Sequence, residues 1–335
     1  MIPRGPYINN AKMVSINNEI LSCNLPKKDG SYVSNRKYVN KEIEYHNIDG
    51  VLTPDYYRDC YFITIDNQLG NCLRIITSGI IIANHYKKHP FICINNDYIW
   101  YKEKIVLSTI FDQYLLHDNT IDFIALDYGE NTVYDKYYGT NYDVVNEGRF
   151  HYPENTNRCG IINTIYSVIP DTMSIDEFIY NKIRIYRSFN LPIQFRKNIE
   201  SFVRENNIQE CIGIHIRYTD NLGDRMKERH KFNTSLDVFI EKIKVTTSKI
   251  LLCSDCKDVL NMFRFHKNII FANKCFMKEY QALYEMYLLS NCKWIIGTNS
   301  STFSYESAFI KGTNIELYVD NEWKMNNFEK YRNEM

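Results

Sequence analysis

From residue 210 to residue 318 the chain alternates short apolar runs with helical patterns, and this restricts its fold more than any other feature. The apolar runs fall at 211–216, 249–253, 268–271, 293–296 and 314–318, and the helical patterns at 235–245, 257–265, 278–290 and 302–311. Runs this short, rich in Ile and bounded by polar turns, suit strands buried on both faces. Strands joined by helical crossovers form a parallel sheet with helices on both faces, because the crossovers are handed. An α/β fold is therefore expected.

A second unit of this kind lies upstream. A strand at 61–65 leads through Asp-Asn-Gln-Leu-Gly-Asn into a helical pattern at 73–88, with Leu73, Ile76, Ile80 and Ala83 on one face. A strand at 91–94 closes the βαβ pattern. A helix over 98–116 and a strand over 121–126 follow. Residues 1–58 are polar and turn-rich and predict short strands and loops. Residues 127–170, rich in Tyr, Asn and Gly, read as a long loop bordering an acceptor site. Helical patterns at 172–189 and 192–205 flank Leu191-Pro192, where we expect the hinge between domains 1–190 and 191–335. The tail from Asn321 reads as a polar helix.

Composition narrows the partners. A chain of 335 residues, 44% hydrophobic and 24% charged, is long enough for two domains and supports a packed core. Lys+Arg equals Asp+Glu at 40 each, so no global basic field draws it to nucleic acid. The most apolar run, 75–83, is broken by Thr77, Ser78 and Gly79 and is too short for a transmembrane segment. The N-terminus shows no apolar signal region, so a cytoplasmic location is expected. The ten cysteines are scattered, which suits reduced, buried thiols. Cys253 and Cys256 form a lone Cys-x-x-Cys without a second pair, so no metal site is expected.

Chemistry gathers where the strands run out. After 211–216 come His215, Arg217, Thr219 and Asp220, then a loop with Gly223 and Asp224. Ligands of open α/β sheets bind at the carboxyl ends of the strands. Arg217 there is suited to the diphosphate of a nucleotide-sugar, through a planar fork of donors and a fixed charge. It is equally suited to pairing with Asp220 or Asp224. Asn71, at the mouth of the 66–71 turn, either donates its amide to a ligand oxygen or caps the following helix. Ser300, Ser301 and Thr302 join a strand to a helix and form an anion site, or one serine is a helix cap with Glu306 as its capping-box acid. Glu285 either accepts the two N–H donors of guanine or is a polar residue on an amphipathic helix. Asp220, Asp224 and Asp255 are acids at strand ends. Asp224 is placed to be a base that removes the acceptor's proton, or to pair with Arg217, Arg225 or Lys227.

Three of these stretches together resemble the GDP-fucose-dependent fucosyltransferase superfamily, which includes α-1,6-fucosyltransferases, nodulation fucosyltransferases and protein O-fucosyltransferases. Gln68-Leu69-Gly70-Asn71 resembles its glycine-leucine-glycine-asparagine turn. His215-Ile216-Arg217-Tyr218-Thr219-Asp220 resembles its His-x-Arg-Arg-x-Asp block, and Ser300-Ser301-Thr302-Phe303-Ser304 its late Ser-Ser turn. Order and spacing agree over residues 60–315. Gln68, Tyr218 and Asn221 depart from the pattern, replacing a glycine, an arginine and a lysine.

The resemblance implies a GT-B-like fold, two Rossmann-like domains facing across a cleft, with the nucleotide on the C-terminal one. It implies that Arg217 and Ser301 hold the β-phosphate, that His215 lies against the guanosine and that Glu285 is the guanine-binding acid. It further implies an inverting, metal-independent transfer from GDP-fucose to a hydroxyl of a glycan or glycoprotein, with no cofactor beyond the donor. Another nucleotide-sugar as donor, or a silent carbohydrate- or nucleotide-binding protein, remains an alternative at this point.

Overall fold

A computed structural model of the chain describes residues 6–17, 20–27, 29–38, 45–48, 51–54, 60–65, 68–94, 101–112, 132–133, 149–150, 160–162, 169–170, 172–218, 234–299 and 301–331. The polar start of the chain forms antiparallel structure. Strands β1 (Lys12–Asn17), β2 (Ile20–Pro26) and β3 (Tyr32–Tyr38) make one sheet, and β4 (Tyr45–Ile48) pairs with β5 (Val51–Pro54). Alternating residues Leu21, Cys23 and Leu25 of β2 point inward and share a small core with Tyr7, Tyr45 and Leu52.

A parallel sheet follows. Strand β6 (Cys60–Ile65) runs into helix α1 (Leu69–His85), which returns the chain to β7 (His89–Ile94), as the βαβ pattern predicts. Helix α2 (Tyr101–Ile110) comes next; the strand expected at 121–126 lies outside the described residues. Residues 127–170 contribute short strands rather than only loop: β8 (Thr132–Val133), β9 (Arg149–Phe150), β10 (Gly160–Ile162) and β11 (Ile169–Pro170). The sheet order is β7-β6-β10-β8, with β9 and β11 paired separately. Segments of two or three residues carry too little alternation to be seen in a sequence. Helix α1 is buried along almost its whole length, on β6 and β7 and against two later helices, which explains its near-continuous apolar sequence.

Helices α3 (Ile175–Arg187) and α4 (Ile193–Asn206) lie on either side of Leu191-Pro192. Ser174 caps α3 by accepting the Glu177 N–H, and Asn207 ends α4 in the left-handed conformation that asparagine tolerates. Phe195 of α4 and Ile183 of α3 share one continuous core with Ile63 and Leu317.

The second half of the chain then alternates as its sequence requires: β12 (Ile212–Ile216), α5 (Leu236–Val245), β13 (Ile250–Ser254), α6 (Lys257–Met262), β14 (Ile269–Phe271), α7 (Gln281–Ser290), β15 (Trp294–Gly297), α8 (Thr302–Lys311), β16 (Ile315–Val319) and β17 (Glu322–Asn326). The sheet order is β14-β13-β12-β15-β16-β17, parallel except for β17. Ile212, Ile214 and Ile216 pack with Phe239 of α5 and Val259 of α6, whereas Leu251, Cys253 and Ile295 pack toward α7 and α8. The period of two therefore turns His215 toward the α8 side.

The tail departs from the expected helix. Asp320 and Asn321 both have positive φ, 53° and 65°, and form a two-residue hairpin turn that pairs Val319 with Glu322. Asp and Asn tolerate this conformation, and turns of this kind match the strand twist. Trp323 then meets Tyr318 across the pair, ring centroids 5.3 Å apart. A strand with charged residues between its apolar ones resembles a solvated helix when read for composition alone.

Candidate functional site

The order of the larger sheet reverses at β12. One crossover leads to β13 on one side; the return through α7 places β15 on the other. The carboxyl ends of β12 and β15 therefore diverge into a crevice, the position at which doubly wound sheets bind ligands. His215 and Arg217 leave β12 here, and Gly297 and Thr298 leave β15.

Thr298 ties the two ends together. Its hydroxyl donates to the carbonyl of His215 (3.0 Å) and accepts the backbone N–H of Arg217 (2.9 Å). The Arg217 side chain is half-buried, and its Nη2 donates to Oε1 of Gln68 at 3.2 Å. Gln68 is the residue before α1, so the end of β12 and the 68–71 turn meet across 149 positions of sequence.

The start of α8 completes the crevice. Ser301 is its N-cap residue, yet its side chain caps nothing; its backbone N–H donates to Thr298 O at 3.1 Å. Its Oγ is buried and has no hydrogen-bond partner among the described residues. A buried hydroxyl left unsatisfied costs about 1–3 kcal/mol, so a ligand oxygen there would recover that cost. A Cβ on Gly70 would lie 2.8 Å from Thr302 Oγ1 and 3.1 Å from Phe303 N. Gly70 thus lets the first turns of α1 and α8 abut, which brings two positive helix ends to one place.

His215 is fixed by α8. Its Nδ1 shares a 2.7 Å hydrogen bond with Ser304 Oγ, and its ring stacks on Phe303 at 4.5 Å and 22°. A Cβ on Gly297 would lie 2.7 Å from Ser304 Cβ, so the glycine admits this close packing. Burial pushes the His215 imidazole down to about 3, and the Arg217 charge adds to this while Asp255 opposes it. At neutral pH His215 is an uncharged group that orients and packs.

One turn behind the paired helix ends, Arg74 of α1 and Glu306 of α8 form a buried ion pair at 3.2 Å. Lys182 of α3 donates to the same Glu306 oxygen at 2.9 Å, and the Tyr186 hydroxyl to the other at 2.5 Å. Glu306 is therefore not a capping-box acid. Its side chain turns away from the helix start and pins α1, α3 and α8 together, which keeps the two N-termini level.

The remaining predicted residues divide as follows. Asn71 is half-buried in the first turn of α1 and is not its cap; Gln68 holds that position. Asp255, past the end of β13, accepts the Tyr218 N–H at 2.8 Å and so steadies the chain after Arg217. Glu285 lies on α7, mostly buried, with Oε1 accepting from Gln281 Nε2 at 2.8 Å. Burial pushes its carboxyl up, against the pull of that hydrogen bond. Gln281 Oε1 also accepts the Cys275 N–H, so Glu285 is tied through Gln281 to the segment past β14, and none of its hydrogen bonds among the described residues reaches the Arg217 cluster. Thr302 is the first residue of α8 and touches the Gly70 turn. Asp220, Asp224 and Ser300 lie outside the described residues.

Sequence reasoning missed the roles of Thr298, Phe303 and Ser304, although all three stand in the serine-rich turn it singled out. It saw Gln68 only as a departure. Cys253 and Cys256 are both buried, and burial pushes the Cys253 thiol well up, opposite to what a metal ligand or nucleophile needs. Among the described residues no group of three or more His, Cys, Asp or Glu is placed to hold a metal ion, and no helix is long and apolar enough to cross a membrane.

No protein-family model and no curated protein matches the chain. Its fold is similar to that of NodZ α-1,6-fucosyltransferase co-crystallised with GDP: TM-score 0.50, 15% identity, covering 80% of this chain and 98% of that one. The structure of fucosyltransferase NodZ from Bradyrhizobium is similar to the same degree, with TM-score 0.50, 16% identity and the same coverage.

Proposed function

We propose that this chain is a glycosyltransferase that moves fucose from GDP-fucose to a hydroxyl of a glycan or glycoprotein, with inversion at the anomeric carbon. The observation that carries this reading is the unsatisfied Ser301 hydroxyl. It sits one hydrogen bond from Thr298, which holds Arg217, at the place where two helix N-termini meet. A diphosphate is the group these features would jointly bind. That the fold neighbour was crystallised with GDP supports the guanine nucleotide.

In this reading residues 191–335 bind the nucleotide and residues 1–190 face the acceptor. Arg217 and Ser301 hold the β-phosphate, His215 packs against the guanosine, and Glu285 reads the base. The acceptor oxygen attacks the anomeric carbon opposite the diphosphate, and the bond to the β-phosphate oxygen breaks. GDP leaves with the electron pair while a base takes the acceptor's proton; Asp224 is our choice for that base. Negative charge grows on the leaving diphosphate, so Arg217 and the helix-end N–H groups bind the transition state more tightly than the donor. Those groups supply the positive charge without a metal ion or other cofactor, and activity should survive a chelator.

The test is a thermal-shift panel followed by product analysis. GDP and GDP-fucose should raise the unfolding midpoint, because they bind only the folded chain, and UDP should not. GDP-fucose should then be slowly hydrolysed without acceptor. A preference for uridine nucleotides would replace the donor, and GDP binding with no turnover on any acceptor panel would make the chain a binding protein.

A further inference from the structure

Glu306 and Glu285 are both acids set into the interior, and the fold treats them differently. Glu306 shares its oxygens among Arg74, Lys182 and Tyr186. Glu285 has no cation beside it among the described residues; its one hydrogen bond there comes from Gln281 Nε2 to Oε1, at 2.8 Å. Its second oxygen, Oε2, accepts no hydrogen bond among the described residues. A mostly buried carboxylate without a countercharge is costly, and packing gives no reason for an acid at this place.

Gln281 has only one way to lie. Its Oε1 accepts the Cys275 N–H at 2.6 Å, and its Nε2 donates to the Asn273 carbonyl at 3.3 Å. A backbone N–H only donates and a carbonyl only accepts, so the amide orientation is set and Glu285 is shown an N–H. That bond favours the ionised carboxyl against the burial that raises it. Gln281 opens α7 and Glu285 lies one turn further on, so both stand near the end of the helix that follows β14. Glu285 also faces Cys253 of β13, where its charge adds to the burial that pushes the thiol up. Cys253 is the register partner of His215 in β12, so Glu285 lies on the His215 face of the sheet, one strand along.

We propose that Gln281 is a positioning residue for Glu285 that sets base specificity: it fixes the carboxylate as an acceptor, so that Oε2 and the remaining lone pair of Oε1 take a nucleobase edge with two adjacent N–H donors. Guanine has such an edge, N1–H beside the N2 amine. Adenine and cytosine place an acceptor next to their amine, and uracil flanks its N–H with carbonyls, so an acceptor-only group suits them poorly. The inference deepens the fucosyl-transfer reading and rests on it for a nucleotide being bound.

Gln281→Met keeps the length of the side chain and removes the donor. The Tyr284 hydroxyl still ties the segment past β14 to α7, by donating to Asn273 Oδ1 at 2.6 Å. The first measurement needs no ligand: NMR titration of the Glu285 carboxyl carbon in glutamate-labelled protein. Cys253 and Tyr284, which face Glu285 from β13 and from α7, are pushed up by burial and stay neutral through the range. Glu285 should titrate at higher pH in Gln281→Met than in the wild type; equal titration overturns the proposal. The second is calorimetric titration with GDP and with inosine diphosphate, which lacks only the N2 amine. A hydrogen bond to a charged group is among the strong ones, so the wild type should prefer GDP by about tenfold or more. In Gln281→Met the preference should fall below about threefold, while any shift of the segment itself would weaken both nucleotides alike. Glu285→Gln should lose the preference too, and adding Gln281→Met to it should change nothing further, because Gln281 acts through Glu285. A preference kept in Gln281→Met, or lost further in the double variant, overturns the proposal. A wild type that binds GDP and inosine diphosphate equally well overturns it while leaving the transferase reading in place. A wild type that binds neither sinks that reading and the base selection with it.

Discussion

Gly70→Ala probes the contact on which the anion site depends. A glycine inside a helix costs about 0.5–1 kcal/mol relative to alanine, so in an open helix the substitution would stabilise the chain. Here the new Cβ would meet Thr302 Oγ1 at 2.8 Å, Phe303 N at 3.1 Å and Thr302 C at 3.3 Å, where ordinary contact begins at 3.4 Å. The threonine hydroxyl can rotate away; the two backbone atoms cannot. The start of α8 must therefore move from α1 by a few tenths of an ångström. Overpacking of this kind costs about 1–3 kcal/mol. Set against the helix gain, net destabilisation should be small, about 0–2 kcal/mol. The functional loss should be larger than the stability loss. Since a shift of about 1 Å costs roughly a hundredfold in a positioned site, half of that should weaken GDP by about tenfold. Urea unfolding and GDP titration on the one variant provide both numbers. A variant about 1 kcal/mol more stable than wild type, binding GDP unchanged, would show that the helix ends do not meet.

Other residues test other parts. Glu306→Ala takes away the carboxylate that Arg74, Lys182 and Tyr186 share and should destabilise the fold by about 3–5 kcal/mol in denaturant titration; a loss below about 1 kcal/mol would deny the cluster its place in the core. His215 makes the fold acid-sensitive. Its imidazole is held near 3 against an ordinary 6.5, so the unfolded chain binds the proton first and stability falls as pH drops from about 6.5 toward 3. The slope due to His215 should approach about 1.4 kcal/mol per pH unit and should be missing in His215→Gln. Glu285, raised by burial, acts in the opposite sense, so it is the difference between the two proteins that counts. Glu285→Gln should weaken GDP much more than UDP, because the amide offers a donor where guanine needs acceptors; equal effects would return Glu285 to a structural role.

The sequence made some of this architecture legible for identifiable reasons. The strands β12, β13 and β15 are buried on both faces, so they read as unbroken apolar runs, and their helices keep a visible period. The antiparallel strands 12–38 are half-exposed and polar, so short strands were expected there but their bounds were not legible. β17 was mistaken for helix because Asp320-Asn321, a hairpin turn, lacks the glycine that usually marks one. Arg217, Ser301 and the Gly70 turn were singled out because polar residues ending an apolar run have few purely structural uses. Glu306 was misread: it stands five residues after Ser301, beyond the N3 position a capping-box acid needs, and only the fold shows Arg74 and Lys182 waiting across the helix interface. Gln68 and Thr298 act through partners more than 80 positions away, which no local pattern reports.

The most direct test of the central claim is Arg217→Lys, with melting temperature, GDP affinity and turnover measured on one preparation. Lysine keeps the charge and loses the planar fork. If Arg217 stabilises the leaving diphosphate, the variant melts as the wild type does, binds GDP somewhat more weakly, and turns over GDP-fucose about 100- to 1,000-fold more slowly. A variant that melts lower yet turns over normally per folded molecule would make Arg217 a structural residue and leave the crevice without its anion anchor.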